Sequence, residues 1–71
     1  MDDLIIIGKN IARIRKEKNM TQEDLCGITE LDRSHLSEIE NGKMNITVKT
    51  LIKISEALDV EIHDLIIKKG A

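Results

Sequence analysis

The sequence predicts an all-α fold, a compact single domain of five short helices spanning residues 1–71. Three observations carry that expectation. There is no Pro, so nothing in the 71 residues forces a helix to break. Apolar residues recur at three- and four-residue steps, the period of one helical face. A local pattern also repeats four times: an apolar residue, a helix-start residue, then a second apolar residue four positions after that start. It reads Met20-Thr21…Leu25, Leu31-Asp32…Leu36, Ile46-Thr47…Leu51 and Val60-Glu61…Leu65. This is the hydrophobic staple around an N-cap. Thr and Asp cap well because their side-chain oxygens accept orphan amide protons of the first turn, whereas Glu61 is a poorer cap. Four starts between Met20 and Leu65 leave little room for strands.

The elements follow in order. The first helix starts near Asp2 or Asp3, whose charge suits the positive end of the helix dipole. Leu4, Ile7, Ile11 and Ile14 form its apolar stripe, and it ends near Lys18-Asn19, where Asn tolerates a left-handed stop. The second helix spans Gln22 to about Ile28. The third spans Arg33 to about Asn41, with Gly42 as its stop. The fourth runs from Val48 to about Leu58 and buries Leu51, Ile54, Ala57 and Leu58. The fifth runs from Ile62 to about Lys68 and buries Ile62, Leu65 and Ile66. Short connections between them give a compact helical domain.

Composition excludes several functions. With 41% apolar and 34% charged residues the chain is expected to pack rather than remain disordered. A chain this small buries only roughly 60% of its unfolded surface, so marginal stability is expected. It has no Phe, Tyr or Trp, hence no platform on which single-stranded bases could stack. One cysteine and two distant histidines, His35 and His63, match no zinc spacing, so no metal or other cofactor is expected. No apolar run approaches the ~20 residues of a membrane span. The opening Met-Asp-Asp-Leu-Ile-Ile-Ile carries acid where a signal peptide needs base, so a cytoplasmic protein without a membrane partner is expected. Nothing pairs a nucleophile with a base and no glycine-rich loop cradles phosphate, so no enzyme is expected.

The informative stretch is 21–42, where two short helices and a turn of about four residues form a helix-turn-helix. At about 100° per residue, Ser37, Asn41, Ser34 and Glu38 fall about 40°, 80°, 100° and 140° from Arg33, while Leu36 and Ile39 lie opposite. One face is apolar. The other holds short or forked polar groups and no lysine, unlike a solvated face of alternating Lys and Glu. Such groups hydrogen-bond base edges and phosphates at short range. On composition alone, a merely solvated helix fits equally well. The net charge of −2 is unusual for a nucleic-acid binder, but its layout is uneven. Base gathers at Lys9, Arg13, Arg15, Lys16 and Lys18 and at Lys43, Lys49 and Lys53; acid gathers at Asp2, Asp3, Asp59, Glu61 and Asp64. A positive side near the third helix is the expected result.

Four segments together resemble the XRE family, the helix-turn-helix domains of Cro and cI repressors. They are Arg13-Ile14-Arg15, Met20-Thr21-Gln22-Glu23-Asp24-Leu25, Leu36-Ser37-Glu38-Ile39-Glu40-Asn41-Gly42-Lys43 and Ile54-Ser55-Glu56-Ala57-Leu58-Asp59-Val60. The match covers about residues 6–67. The resemblance implies a lambda-repressor-like five-helix domain that binds double-stranded DNA as a homodimer, with its third helix in the major groove. It implies that Arg33, Ser34, Ser37 and Glu38 face base edges. An Arg there can bond guanine O6 and N7 with both prongs. Glu38 either accepts from a cytosine amine or orients Arg33, and the second is preferred because a bare carboxylate near phosphates is costly. Gln22 would hold a phosphate and brace the recognition helix, and Thr21 beside it would also meet the DNA backbone. Asn41, Lys43 and Asn45 would grip the backbone, helped by Thr47, Lys49 and free amides at the start of the fourth helix. His35 sits at the border of the two faces, as a phosphate contact or as packing. His63 reads as a surface residue, and Cys26 as a buried small hydrophobe.

Arg15 and Glu40 match a family ion pair between the first helix and the end of the third, expected to fix orientation rather than add net stability. Two residues depart from the family pattern. Glu30 or a neighbour stands where the turn usually has Gly or Asn; a left-handed Glu costs on the order of 1 kcal/mol, so a locally different turn is expected. Glu61 replaces the usual Ser or Thr cap.

Ile5, Ile6, Ile52 and Ile67 lie off the main stripes. Some are expected to complete the core, others to join a two-fold interface with Ile62 and Ile66. A dimer would set its recognition helices about 34 Å apart and read a palindromic operator. Bound near a promoter it would block or recruit RNA polymerase, with concentration and cooperativity rather than a small-molecule ligand as inputs. Leu31-Asp32-Arg33-Ser34 and Asn45-Ile46-Thr47-Val48 look like the controller proteins of restriction–modification systems, which both activate and repress their own operon. The competing class is an interaction module, antitoxin-like, that keeps the fold without DNA; the negative net charge is its support.

Overall fold

A computed structural model describes residues 3–68; the proposed helix start at Asp2 lies outside them. The element order is α1 (Asp3–Glu17), α2 (Gln22–Thr29), α3 (Arg33–Glu40), α4 (Val48–Leu58) and α5 (Ile62–Ile66). No strand occurs among the described residues. All four staples mark helix starts, with Thr21, Asp32, Thr47 and Glu61 at the N-cap positions. Leu25, Leu36, Leu51 and Leu65 enter the core, and Met20, Leu31, Ile46 and Val60 pack against it. Each staple thus anchors its helix from both sides of the cap. Ile11, Ile14, Ile39, Ile54 and Leu58 complete the core, which draws on all five helices.

The caps are not equivalent. Thr21 Oγ1 accepts the Asp24 amide proton at 3.0 Å, and the Asp24 carboxylate accepts that of Thr21 at 2.9 Å. Thr47 Oγ1 accepts from the Thr50 amide at 3.1 Å. Asp32, expected to cap α3 through its carboxylate, makes no such bond. At α5 the Asp64 carboxylate accepts from the Glu61 amide at 3.0 Å. Asn19 and Gly42 stop their helices with φ of 59° and 71°, as expected. Glu30 corrects the expectation of an altered turn: it adopts the left-handed conformation itself, at φ 64° and ψ 22°. Its amide donates to the Cys26 carbonyl at 2.7 Å, which closes α2 and holds the residue there.

The last helix is shorter than expected, ending at Ile66 rather than near Lys68. Leu65 is buried, Ile62 is half-buried, and Ile66, expected inside, is 49% exposed. The reason lies 55 residues upstream. The buried Asn10 side chain donates to the carbonyls of Leu65 (2.9 Å) and Ile67 (2.7 Å), filling acceptors that another helical turn would have used.

Candidate nucleic-acid interface

α3 is docked by Leu36 and Ile39, both essentially inaccessible. Its opposite side carries Arg33, Ser34 and Glu38, all exposed, with His35 and Ser37 half-buried at the margins. Asn41, Lys43, Asn45, Thr47 and Lys49 continue this side along the loop into α4, and all five are exposed. Exposed polar groups assigned to bases and backbone thus follow one another from α3 through the loop into the first turn of α4. Val48, beside Thr47 at the start of α4 where free amides were expected to meet a phosphate, is 68% exposed.

The far end of α3 is fixed by one carboxylate. Arg15 Nε reaches Glu40 Oε2 at 2.8 Å and Arg15 Nη2 reaches Glu40 Oε1 at 3.1 Å. Both side chains are buried, at 9% and 7% exposure. Gln22 Nε2 donates to the same Oε1 at 3.0 Å, and Arg15 Nη1 donates to the Met20 carbonyl at 2.8 Å. Glu40 thereby joins α1, the entry to α2 and α3, and its hydrogen bonds push the Arg15 guanidinium above its ordinary pKa. A two-pronged pair of this kind carries directional information as well as energy.

Several assigned side chains are already engaged. The Thr21 hydroxyl is the acceptor of a cap. Gln22 spends an amide proton on Glu40, consistent with a brace. Asn41 Nδ2 donates back to the Ser37 carbonyl at 2.8 Å. Among the described residues no ion pair joins Glu38 to Arg33, which corrects the expected orienting pair. Residues five apart sit about 140° apart around a helix, so the two side chains diverge across the outer face instead of pairing. The basic cluster of α1 is also reduced. Arg15 is neutralised by Glu40, and Arg13 pairs with Glu17 at 3.2 Å, leaving Lys9, Lys16 and Lys18 exposed.

The aliphatics assigned to an interface lie on α4, on α5 and just beyond it. Ile52 and Ile66 are 40% and 49% exposed, and Ile62 and Ile67 are half-buried. Ile5 and Ile28 are exposed as well, at 41% and 59%. Cys26 is half-buried against the core, and burial, followed by the charge of Glu40, pushes its thiol pKa up. His63 is exposed. Among the described residues no group of His, Cys, Asp or Glu could hold a metal, and no helix is long and apolar enough to cross a membrane.

Sequence reasoning missed Asn10 and Gly8. Both are buried on α1. A polar residue within an apolar stripe was a signal for the first; a glycine interrupting a run of isoleucines was one for the second.

A sequence profile described as helix-turn-helix matches residues 11–65. The control protein C.MunI of a Mycoplasma species is 39% identical over 67 residues, covering 92% of this chain and 90% of that protein. The crystal structure of the restriction–modification controller protein C.AhdI from Aeromonas hydrophila superposes with a TM-score of 0.87 at 32% identity, covering 92% of this chain and 98% of that one. The controller protein C.Esp1396I, solved as a tetramer on its natural 35 base-pair operator, superposes with a TM-score of 0.77 at 36% identity, covering 90% of this chain and 95% of that one.

Proposed function

Because this chain belongs to the helix-turn-helix family, we propose that it is a sequence-specific double-stranded DNA-binding transcriptional regulator that works as a homodimer on a palindromic operator. One observation carries the reading. α3 buries its two aliphatics and offers a lysine-free face of Arg33, Ser34, Ser37 and Glu38, anchored at its far end through Glu40. A helix held at one end with short polar groups on its free side fits the major groove of B-form DNA. Arg33 bonds guanine, Ser34 and Ser37 bond base edges, and Glu38, unpaired with Arg33, accepts from a cytosine amine. Asn41, Lys43, Asn45, Thr47 and Lys49, with Thr21, Gln22 and His35 behind them, hold phosphates and set the register.

Two molecules join through Ile52, Ile62, Ile66 and Ile67, which leaves both recognition faces free. Near full-length similarity to C.MunI and C.AhdI supports control of a restriction–modification operon, by blocking or recruiting RNA polymerase. Such a protein works at the nucleoid, in the cytoplasm, as a binding protein without catalysis or cofactor. The net charge of −2 favours a second reading, a partner-binding module that has lost DNA. Selection from a random duplex library, followed by a salt titration on the selected sites, decides between them. A regulator selects a palindrome and loses affinity steeply with salt, because bound phosphates release their counterions. No enrichment, with binding flat in salt, would favour the partner-binding module.

A further inference from the structure

At Gly8 the body of α1 rests directly on backbone. A Cβ built there would clash with the Ile39 carbonyl oxygen and lie 2.6 Å from that of Glu40 and 2.8 Å from the Glu40 carbonyl carbon. Those are the last two carbonyls of α3. The contact recurs just beyond, from the other side. A Cβ on Gly42, which sits at φ +71°, would lie 2.7 Å from Ile5 Cγ1 and 2.8 Å from Ile5 Cα. α1 thus rests on the backbone of the end of α3 at Gly8, and just beyond α3 the backbone of Gly42 lies against both the side chain and the backbone of Ile5. Long side chains such as Arg15 and Glu40 can follow a small displacement by changing torsion angles; a backbone contact cannot.

We propose that Gly8 is a positioning residue for sequence recognition, setting through backbone contact how far the end of α3 stands from α1 and so the angle at which its outer face meets DNA. This rests on the reading of α3 as the recognition helix. An added methyl must push the Glu40 carbonyl oxygen from 2.6 Å out to the 3.4 Å where ordinary contact begins, a retreat of about 0.8 Å, and the nearer Ile39 carbonyl oxygen by more. Recognition geometry tolerates only about 0.5 Å, whereas phosphate contacts through lysines and a salt atmosphere are far more forgiving.

The test compares Gly8→Ala with Gly27→Ala. Gly27 is an exposed glycine of α2 whose added Cβ would meet nothing within 4 Å. Each full-length variant is measured for cooperative melting, for backbone amide NMR shifts, and for affinity to the selected operator and to an unrelated duplex at one salt concentration. Gly8→Ala is expected to melt cooperatively, to shift amides centred on Ile39 to Lys43, and to lose operator affinity by roughly tenfold or more. Its affinity for the unrelated duplex is expected to change by no more than about twofold. Gly27→Ala is expected to leave both affinities unchanged. Equal losses on both duplexes, an unchanged operator affinity, or amide shifts spread evenly over the core would overturn the proposal. If Gly8→Ala alone does not fold, the comparison moves to Gly8→Ala/Gly27→Ala, where the second change adds helix propensity. A double variant that still does not fold overturns the proposal in favour of a purely structural role. A wild-type protein that selects no sequence would instead overturn the DNA reading, and this proposal with it.

Discussion

Glu40 accepts Arg15 through two N–H groups and Gln22 through a third, on a side chain 7% exposed. A carboxylate in that setting is stabilised only while its partners stay in place, because the cost of removing a charge from water is large. Arg33 is its counterpart on the open side of α3, an exposed guanidinium that no ion pair engages among the described residues. Its five donors are free for a flat acceptor pair such as guanine O6 and N7. Arg33→Ala is therefore expected to relax preference at one base position per half-site and to cost roughly 1–3 kcal/mol there, read by competition between operator variants. An equal loss on every sequence would make Arg33 a phosphate contact. The position of Arg33 on α3 was legible from helical spacing, and the pairing of Arg15 with Glu40 only from family resemblance. That Gln22 braces the recognition helix was implied by the resemblance; that it does so on the Glu40 carboxylate needed the structure, because nothing in a one-dimensional pattern says which of several nearby donors wins an acceptor.

At the scale of elements, helix starts follow from rules that act within a few residues. All four staples in the sequence mark helix starts, since an N-cap and its flanking aliphatics lie within about one helical turn. The best formed is at α2, where Thr21 and Asp24 satisfy each other's amide protons. Hydrogen bonds from the Thr21 backbone and side chain hold the Asp24 carboxyl below its ordinary pKa. A carboxyl depressed in the folded state adds stability above its unfolded value, about 3.9, and loses it as pH falls through the folded one. Asp24→Asn should therefore flatten the loss of Tm on acidification between roughly pH 5 and pH 2 relative to wild type. Parallel Tm-against-pH curves for the two proteins would show that the cap does not titrate as described. Helix ends obey weaker rules. Glu30 takes left-handed backbone that its residue type does not favour, and Asp59 takes it as well. The end of α5 is set by Asn10 from the other end of the chain.

The whole molecule measures 31 × 22 × 19 Å and leaves Ile5, Ile28, Ile52 and Ile66 at 40% exposure or more. Water disfavours that much aliphatic surface on so small a body, and a two-fold contact through α4 and α5 would cover part of it. If Ile66 lies in that contact, Ile66→Glu places a charge against its own symmetry copy. The dimer should then weaken, its Kd rising by roughly tenfold or more in sedimentation equilibrium, while the monomer fold is kept. An unchanged Kd would remove α5 from the interface. The net charge of −2 looks unpromising for DNA, and folding takes Arg13 and Arg15 out of the free positive charge through their glutamate partners. Folding leaves exposed positive charge at Arg33, at Lys43 in the loop after α3 and at Lys49 in the first turn of α4, besides Lys9, Lys16 and Lys18 on and just after α1.

Periodicity, capping residues and the absence of proline determined the helix count, the helix starts and the polar side of α3, because each depends on spacing along one short stretch of chain. The distance between α1 and α3 at Gly8, the truncation of α5 by Asn10, the three-way grip on Glu40 and the exposure of Ile66 were decided by the tertiary structure alone. Each is a contact between residues far apart in sequence, and such contacts exist only once the whole core has closed around them.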